Sequence, residues 1–183
     1  MKIELIESIK KQKILPIIGK GSEIEITNKF NRLVSDKYNI IEITLRSDVA
    51  LKTAIKLKKQ NPNIKIGLGS IKSLSVFEEV AKSKFDFYIS PGINNKFLEF
   101  SKNNNINFLP GVSTPSEILT AIEYNFKILK YFHSEKNGGS KSLKFLDEIF
   151  NDIKFIPTGG INRENMSSYF ELNNVIAIGS TSI

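Results

Sequence analysis

The spacing of its β-type runs limits what this chain can fold into more than any other feature. Eight such runs, at 14–18, 40–44, 64–69, 85–90, 107–109, 128–132, 155–158 and 175–179, start roughly every 20–27 residues. That interval holds one strand, one helix and two short loops. Helical patterns lie between the runs. Asp48 reads as an N-cap before Leu51, Ala54, Ile55, Leu57 and Lys58, and Ser73 as one before Leu74, Phe77, Val80 and Ala81. Thr114-Pro115-Ser116-Glu117 reads as a capping box before Ile118, Leu119 and Ile122. A short helix over 4–10, with Leu5, Ile6 and Ile9 apolar, precedes the first run. With no long linker, residues 1–183 are read as a single domain of the α/β class, a (β/α)8 TIM barrel with a short N-terminal helix. A doubly wound open sheet gives the same alternation, but the count of eight and its regularity favour the barrel. The sequence runs four residues past Gly179, so the last helix is expected to be lacking.

Composition narrows the chemistry. Cysteine is absent and His133 is the only histidine. Disulfide scaffolds, Cys-ligated zinc, Cys nucleophiles and metal sites built on two histidines are thereby excluded. Lys plus Arg number 26 against 19 Asp plus Glu, a net charge of +7. The lysines are dispersed, Lys10-Lys11-Gln12-Lys13 being the one tight cluster. That pattern is expected of a solvated surface and not of a nucleic-acid partner. No apolar run approaches the ~20 residues of a membrane helix. The N-terminal stretch carries acids and no small-residue cleavage site, unlike a signal peptide. A cytoplasmic protein with no membrane partner is the expectation.

In such barrels the working residues lie at the C-terminal ends of the strands. Several ends here are small and glycine-rich, including Gly67-Leu68-Gly69-Ser70, Ser90-Pro91-Gly92, Thr158-Gly159-Gly160 and Gly179-Ser180-Thr181. Glycine lets a ligand approach backbone N–H groups closely. Two charges sit inside runs: Glu42 in Ile40-Ile41-Glu42-Ile43-Thr44 and Lys130 in Ile128-Leu129-Lys130-Tyr131-Phe132. Helices cover the outside of barrel strands, so neither face is wet. Period two groups Ile41, Ile43 and Leu45 under the helices and turns Glu42 inward. The same logic turns Lys130 inward. The second and sixth strands contribute to the same interior layers, so the two charges are expected to face each other across the barrel. A structural ion pair is one reading, though burying charges is a poor route to stability. The other is a nucleophilic lysine, because burial disfavours the ammonium form and a neutral amine is what forms an imine with a ketone. Arg46 lies on the face of Glu42, ~13 Å further along, where a guanidinium can bind a carboxylate bidentately or form a rim salt bridge. Loops after strands seven and eight are the frequent phosphate site in this fold, and N–H groups at 158–160 and 179–181 could cradle one.

These residues, taken together, resemble the 2-keto-3-deoxy-6-phosphogluconate (KDPG) and 4-hydroxy-2-oxoglutarate (KHG) aldolase family, class I Schiff-base aldolases on a (β/α)8 barrel. The segments that carry the resemblance begin with Glu42-Ile-Thr-Leu-Arg46, Gly67-Leu-Gly-Ser70, Ser90-Pro-Gly92 and Leu109-Pro-Gly-Val-Ser-Thr114. Lys130-Tyr-Phe132 with Glu135, Asn137-Gly-Gly139, Pro157-Thr-Gly-Gly-Ile161 and Ile178-Gly179 follow in order. The resemblance implies cleavage of KDPG to pyruvate and glyceraldehyde 3-phosphate. Lys130 would form the Schiff base and Glu42 would act as acid and base. Arg46 and Ser70 would hold the pyruvate carboxylate, and Pro91 and Phe132 would wall the pocket. Thr158, Gly159, Gly160, Gly179, Ser180 and Thr181 would line the phosphate end. It implies a phosphorylated 2-keto acid as small-molecule partner, no metal or cofactor, and a homotrimer. Cleavage of KHG or of the galactonate epimer stays open, as does a phosphate-binding barrel without aldolase activity. The sequence departs from the family pattern in three places: His133 where proline is common, Ser180 in place of the second glycine of a final pair, and the early stop.

Overall fold

The computed structural model describes residues 1–183. The strands are β1 (Ile14–Ile18), β2 (Ile40–Thr44), β3 (Lys65–Gly69), β4 (Phe87–Ile89), β5 (Phe108–Leu109), β6 (Gly111–Val112), β7 (Ile128–Phe132), β8 (Lys154–Thr158) and β9 (Ile178–Ser180). The helices are α1 (Ile3–Gln12), α2 (Glu23–Ser35), α3 (Ala50–Gln60), α4 (Leu74–Ala81), α5 (Asn95–Asn103), α6 (Pro115–Glu123), α7 (Gly139–Ile149) and α8 (Met166–Phe170). A single 3-10 turn spans Glu135–Asn137.

All strand pairs are parallel. The sheet order is β5-β4-β3-β2-β1-β9-β8-β7-β6. Its two outer members, β5 and β6, are consecutive in sequence and separated only by Pro110. Proline has no N–H to give to a ladder, so one barrel strand is split into two short pieces. β5 pairs with β4 and β6 with β7, while Lys130 N donates to Pro110 O at 2.9 Å. The sheet therefore closes through this residue. The fifth run of the sequence is thus two strand segments, and the eighth starts later than expected. Val175 makes only an isolated bridge to Phe155 before the ladder of β9 begins.

Inward and outward faces follow the two-residue period. Outward Ile41, Ile43, Ile66 and Leu68 pack with Phe30, Leu57 and Phe77 of the surrounding helices. On the other side of the barrel, outward Leu129, Tyr131, Phe155 and Ile178 pack with Leu143, Leu146 and Tyr169. Each such burial contributes roughly 1.5–3 kcal/mol against the entropy of ordering the chain. A third cluster fills the barrel itself. It joins Leu15, Ile40, Phe87, Ile89, Leu109, Ile156 and Ala177 with Leu5 and Ile9 of α1. Helix α1 is thus the plug of the N-terminal end. Lys10 and Lys11, the basic cluster seen in the sequence, fall in its last turn, where cations complement the helix dipole.

Caps set the helix starts. Thr114 accepts from Glu117 N while the Glu117 carboxylate accepts from Thr114 N, a full capping box with Pro115 in the first turn. Ser73 caps α4 as expected. Asp48 does not cap α3. Ala50 N is bonded to Ser47 O at 3.0 Å, so the turn starts earlier and Val49 takes the cap position without a side-chain bond.

Candidate active site

The closed barrel forces β2 and β7 to present their inward residues to a common interior, and Glu42 and Lys130 meet there. They are the only charged residues that are buried. Lys130 Nζ lies 3.6 Å from Glu42 Oε1, with side-chain exposures of 6% and 1%. Neither carboxylate oxygen of Glu42 makes a hydrogen bond. A buried pair so incompletely bonded is a poor stabilising device, and such pairs cluster at functional sites. The ammonium also sits 5.3 Å from the centroid of the Phe132 ring, a favourable cation–π contact.

Room for this pair comes from β3. Its two inward positions nearest the C-terminal end, 67 and 69, are glycine, and each leaves space that a neighbour's side chain occupies. A Cβ on Gly67 would meet the Phe87 ring at 2.1 Å, and one on Gly69 would meet Glu42 Oε1 at 1.8 Å and Cδ at 2.6 Å. Gly69→Ala is therefore expected to displace the Glu42 carboxylate. Overpacking of this kind costs about 1–3 kcal/mol. Equilibrium denaturation should show that loss together with a fall in kcat; unchanged stability and turnover would contradict the geometry.

The pair forms the floor of a cavity of about 320 Å³ at the C-terminal end of the barrel. Thr44, Arg46, Phe132, Thr158, Gly159, Gly160, Gly179, Ser180 and Thr181 line it, as the sequence suggested for all but Thr44. Ile17, His133, Ile161, Asn162 and Ser182 complete the wall. Ser70 and Pro91 do not line it. Ser70 accepts a 2.9 Å hydrogen bond from Arg46 Nε and so orients the guanidinium from the side. Pro91 packs its backbone over Gly111, where a Cβ would come within 2.4 Å of its carbonyl carbon. A depression of about 480 Å³ at the opposite end, between Ile6, Phe108 and Phe126, contains no buried charge.

The far side of the cavity is built from backbone. Gly159 and Gly160 take positive φ, 105° and 78°, a region glycine enters without strain. The N–H groups of Gly159, Gly160, Ile161 and Thr181 make no hydrogen bond within the protein. Ser180 Oγ donates to Ile161 O at 2.7 Å and accepts from Ser182 N at 3.0 Å. Its hydroxyl thus holds the two loops together. Thr158 Oγ1 donates to Ile156 O at 3.3 Å, and its side chain fills the space over Gly179.

A partly buried network that sequence reading missed ties β7 to the β8 loop. The Tyr169 hydroxyl donates to the Glu135 carboxylate and lies 3.0 Å from Ser134 Oγ. Glu135 N donates to Gly159 O at 3.1 Å and Ser134 N to Thr158 O at 2.8 Å. Burial, and then the hydrogen bond to Glu135, pushes the Tyr169 phenol far above its ordinary value, so it is a firm proton donor here. Glu135 stood out only as part of a motif. Its partner lies 34 residues on, with no local signal to announce it.

The chain is similar to known proteins over most of its length. Residues 5–183 match the family described as "KDPG and KHG aldolase". The 2-dehydro-3-deoxy-phosphogluconate aldolase of Pseudomonas aeruginosa is 32% identical over 169 residues, covering 92% of this chain and 77% of that protein. The KHG/KDPG aldolase of Escherichia coli K12 is 33% identical over 149 residues, covering 81% of this chain and 70% of that protein. A crystal structure of KDPG aldolase from Legionella pneumophila, holding pyruvate as a covalent carbinolamine intermediate, superposes with a TM-score of 0.92 at 28% identity. It covers 99% of this chain and 87% of that one. The protein is an aldolase, a carbon–carbon lyase built on an α/β barrel. More particularly, the chain belongs to the KDPG and KHG aldolase family. None of its helices is long and apolar enough to cross a membrane.

Proposed function

We infer that this enzyme cleaves a 2-keto-3-deoxy-6-phospho sugar acid, KDPG, to pyruvate and glyceraldehyde 3-phosphate through an imine on Lys130. The observation that carries this reading is the isolated Lys130–Glu42 pair at 3.6 Å on the floor of the cavity. The neutral amine of Lys130 attacks the C2 ketone to give a carbinolamine, whose hydroxyl takes a proton from Glu42 and leaves as water to give an iminium, with Glu42 now a carboxylate. Glu42 takes the proton from the C4 hydroxyl. The C3–C4 bond breaks, its electrons pass into the iminium, and the aldehyde leaves. The resulting enamine takes a proton back at C3, and water then releases pyruvate and the free lysine. The iminium supplies the electron sink, and a single carboxylate beside it suffices for the proton transfers.

Anchoring at the two ends fixes the substrate along the cavity. Arg46, held by Ser70, takes the carboxylate at the pyruvate end. The unpaired N–H groups of Gly159, Gly160, Ile161 and Thr181 take the phosphate. Those groups favour a phosphorylated substrate over 4-hydroxy-2-oxoglutarate, which has no phosphate for them to bind. The test is release of pyruvate from each substrate, followed by a coupled reduction. Faster turnover of the phosphorylated acid supports this assignment, and equal or slower turnover removes it. In the same assay Arg46→Ala is expected to raise KM by about 10- to 100-fold, the worth of a charge-assisted pair, with a smaller effect on kcat. An unchanged KM would take Arg46 out of substrate binding.

A further inference from the structure

His133 lines the cavity but has no part in the reaction above. Its ring lies on the backbone of the loop after β8. A Cβ on Gly159 would come within 2.7–2.9 Å of its Cγ, Cδ2 and Nδ1, and one on Gly160 within 3.5 Å of its Cε1. The Phe132 ring stands on the other side, centroid to centroid 5.3 Å. The imidazole is thus clamped against the two glycines whose N–H groups are free.

The two ring nitrogens differ. Nδ1 is buried and has no partner, whereas Nε2 makes no hydrogen bond and lies outside the buried set. A buried N–H without an acceptor costs more than an unused lone pair, which puts the proton on Nε2. The ring, packed on Gly159 and Gly160, then offers an N–H donor on its open side. The cations lining the cavity are committed elsewhere: Arg46 to Ser70 and Lys130 to Glu42. The nearby acid, Glu135, receives the Tyr169 hydroxyl.

We propose that His133 is a specificity-determining residue whose Nε2–H donates a hydrogen bond to the phosphate monoester of the substrate, completing the backbone cradle. This deepens the functional reading and rests on it.

A single histidine gives one imidazole spin system, so the whole protein can be titrated with inorganic phosphate and followed by nitrogen-15 NMR. A protonated Nε2 and an unprotonated Nδ1, with a saturable shift of Nε2, are expected. His133→Phe keeps the ring against Gly159 and removes the donor, while His133→Gln restores one. The ratio of kcat/KM for the phosphorylated over the unphosphorylated acid should fall about tenfold in His133→Phe and recover in His133→Gln. A ratio unmoved in His133→Phe, or an Nε2 signal indifferent to phosphate, overturns the proposal. Should His133→Phe fail to fold, the wild-type titration decides. Failure of the underlying reading looks different: the wild-type protein would then trap no pyruvate on Lys130.

Discussion

Replacing Lys130 with alanine should cut turnover by at least about 10⁴-fold, the scale on which enzymes lose rate when their covalent nucleophile is removed. The expectation follows from the site's composition. No other amine reaches the cavity floor: Arg46 is a guanidinium at the mouth, and the remaining lysines are not buried. The variant carries a second consequence. Glu42 is 1% exposed at its side chain and has no hydrogen bond. Without its cation it becomes an unpaired buried carboxylate, a loss that costs about 3–5 kcal/mol where the group stays charged. Loss of activity must therefore be separated from loss of fold. Lys130→Met serves this purpose: Glu42 loses its cation there too, but the aliphatic stem still packs beside Phe132 and spares the variant the added cavity of alanine. Both variants should be inactive while Lys130→Met still melts cooperatively. Wild-type rates in either one would contradict the scheme.

The second large effect is expected at Glu42. Glu42→Gln preserves shape and removes the proton acceptor, so turnover should fall by about 10²- to 10⁴-fold, the usual contribution of a positioned acid or base. Imine formation with pyruvate alone is expected to survive in part, because Lys130 supplies the bond-forming atom itself. The signature is a split: a lysine adduct still detectable by mass, with carbon–carbon cleavage nearly lost. Equal loss of both would make Glu42 a structural partner of Lys130 and take the proton transfers away from it. Gly69 connects this chemistry to the scaffold, since only a residue without a side chain leaves the carboxylate its place.

The barrel and its central pair were legible in the sequence because period two is a strict rule. A charge inside a β-branched run covered on both faces must point somewhere, and the larger apolar set decides where. Period two turns Glu42 and Lys130 into one interior, and their 3.6 Å separation agrees with it. Other features depend on neighbours distant in sequence. Gly67 and Gly69 read as a small strand end open to a ligand, yet they are small because Phe87 and Glu42 occupy the space beside them. Ser70 is expected against the substrate carboxylate, and its hydroxyl is found accepting from Arg46 Nε, the group read for the same carboxylate. Pro91 is expected as a pocket wall, and the close packing of its backbone on Gly111 explains why that position has no side chain. Asp48 had the right chemistry for a cap and the wrong position, because the chain turns one residue earlier through Ser47. The Glu135–Tyr169 bond joins residues whose proximity only the closed barrel creates.

The central claim is that Lys130 becomes covalently bound to substrate carbon. The direct measurement is the intact mass of the protein after incubation with pyruvate and borohydride, followed by peptide mapping. The account predicts one pyruvate-derived adduct per chain, confined to the peptide containing Lys130 and absent from Lys130→Met. A folded protein that gains no mass, or one whose adduct maps to another lysine, would contradict it.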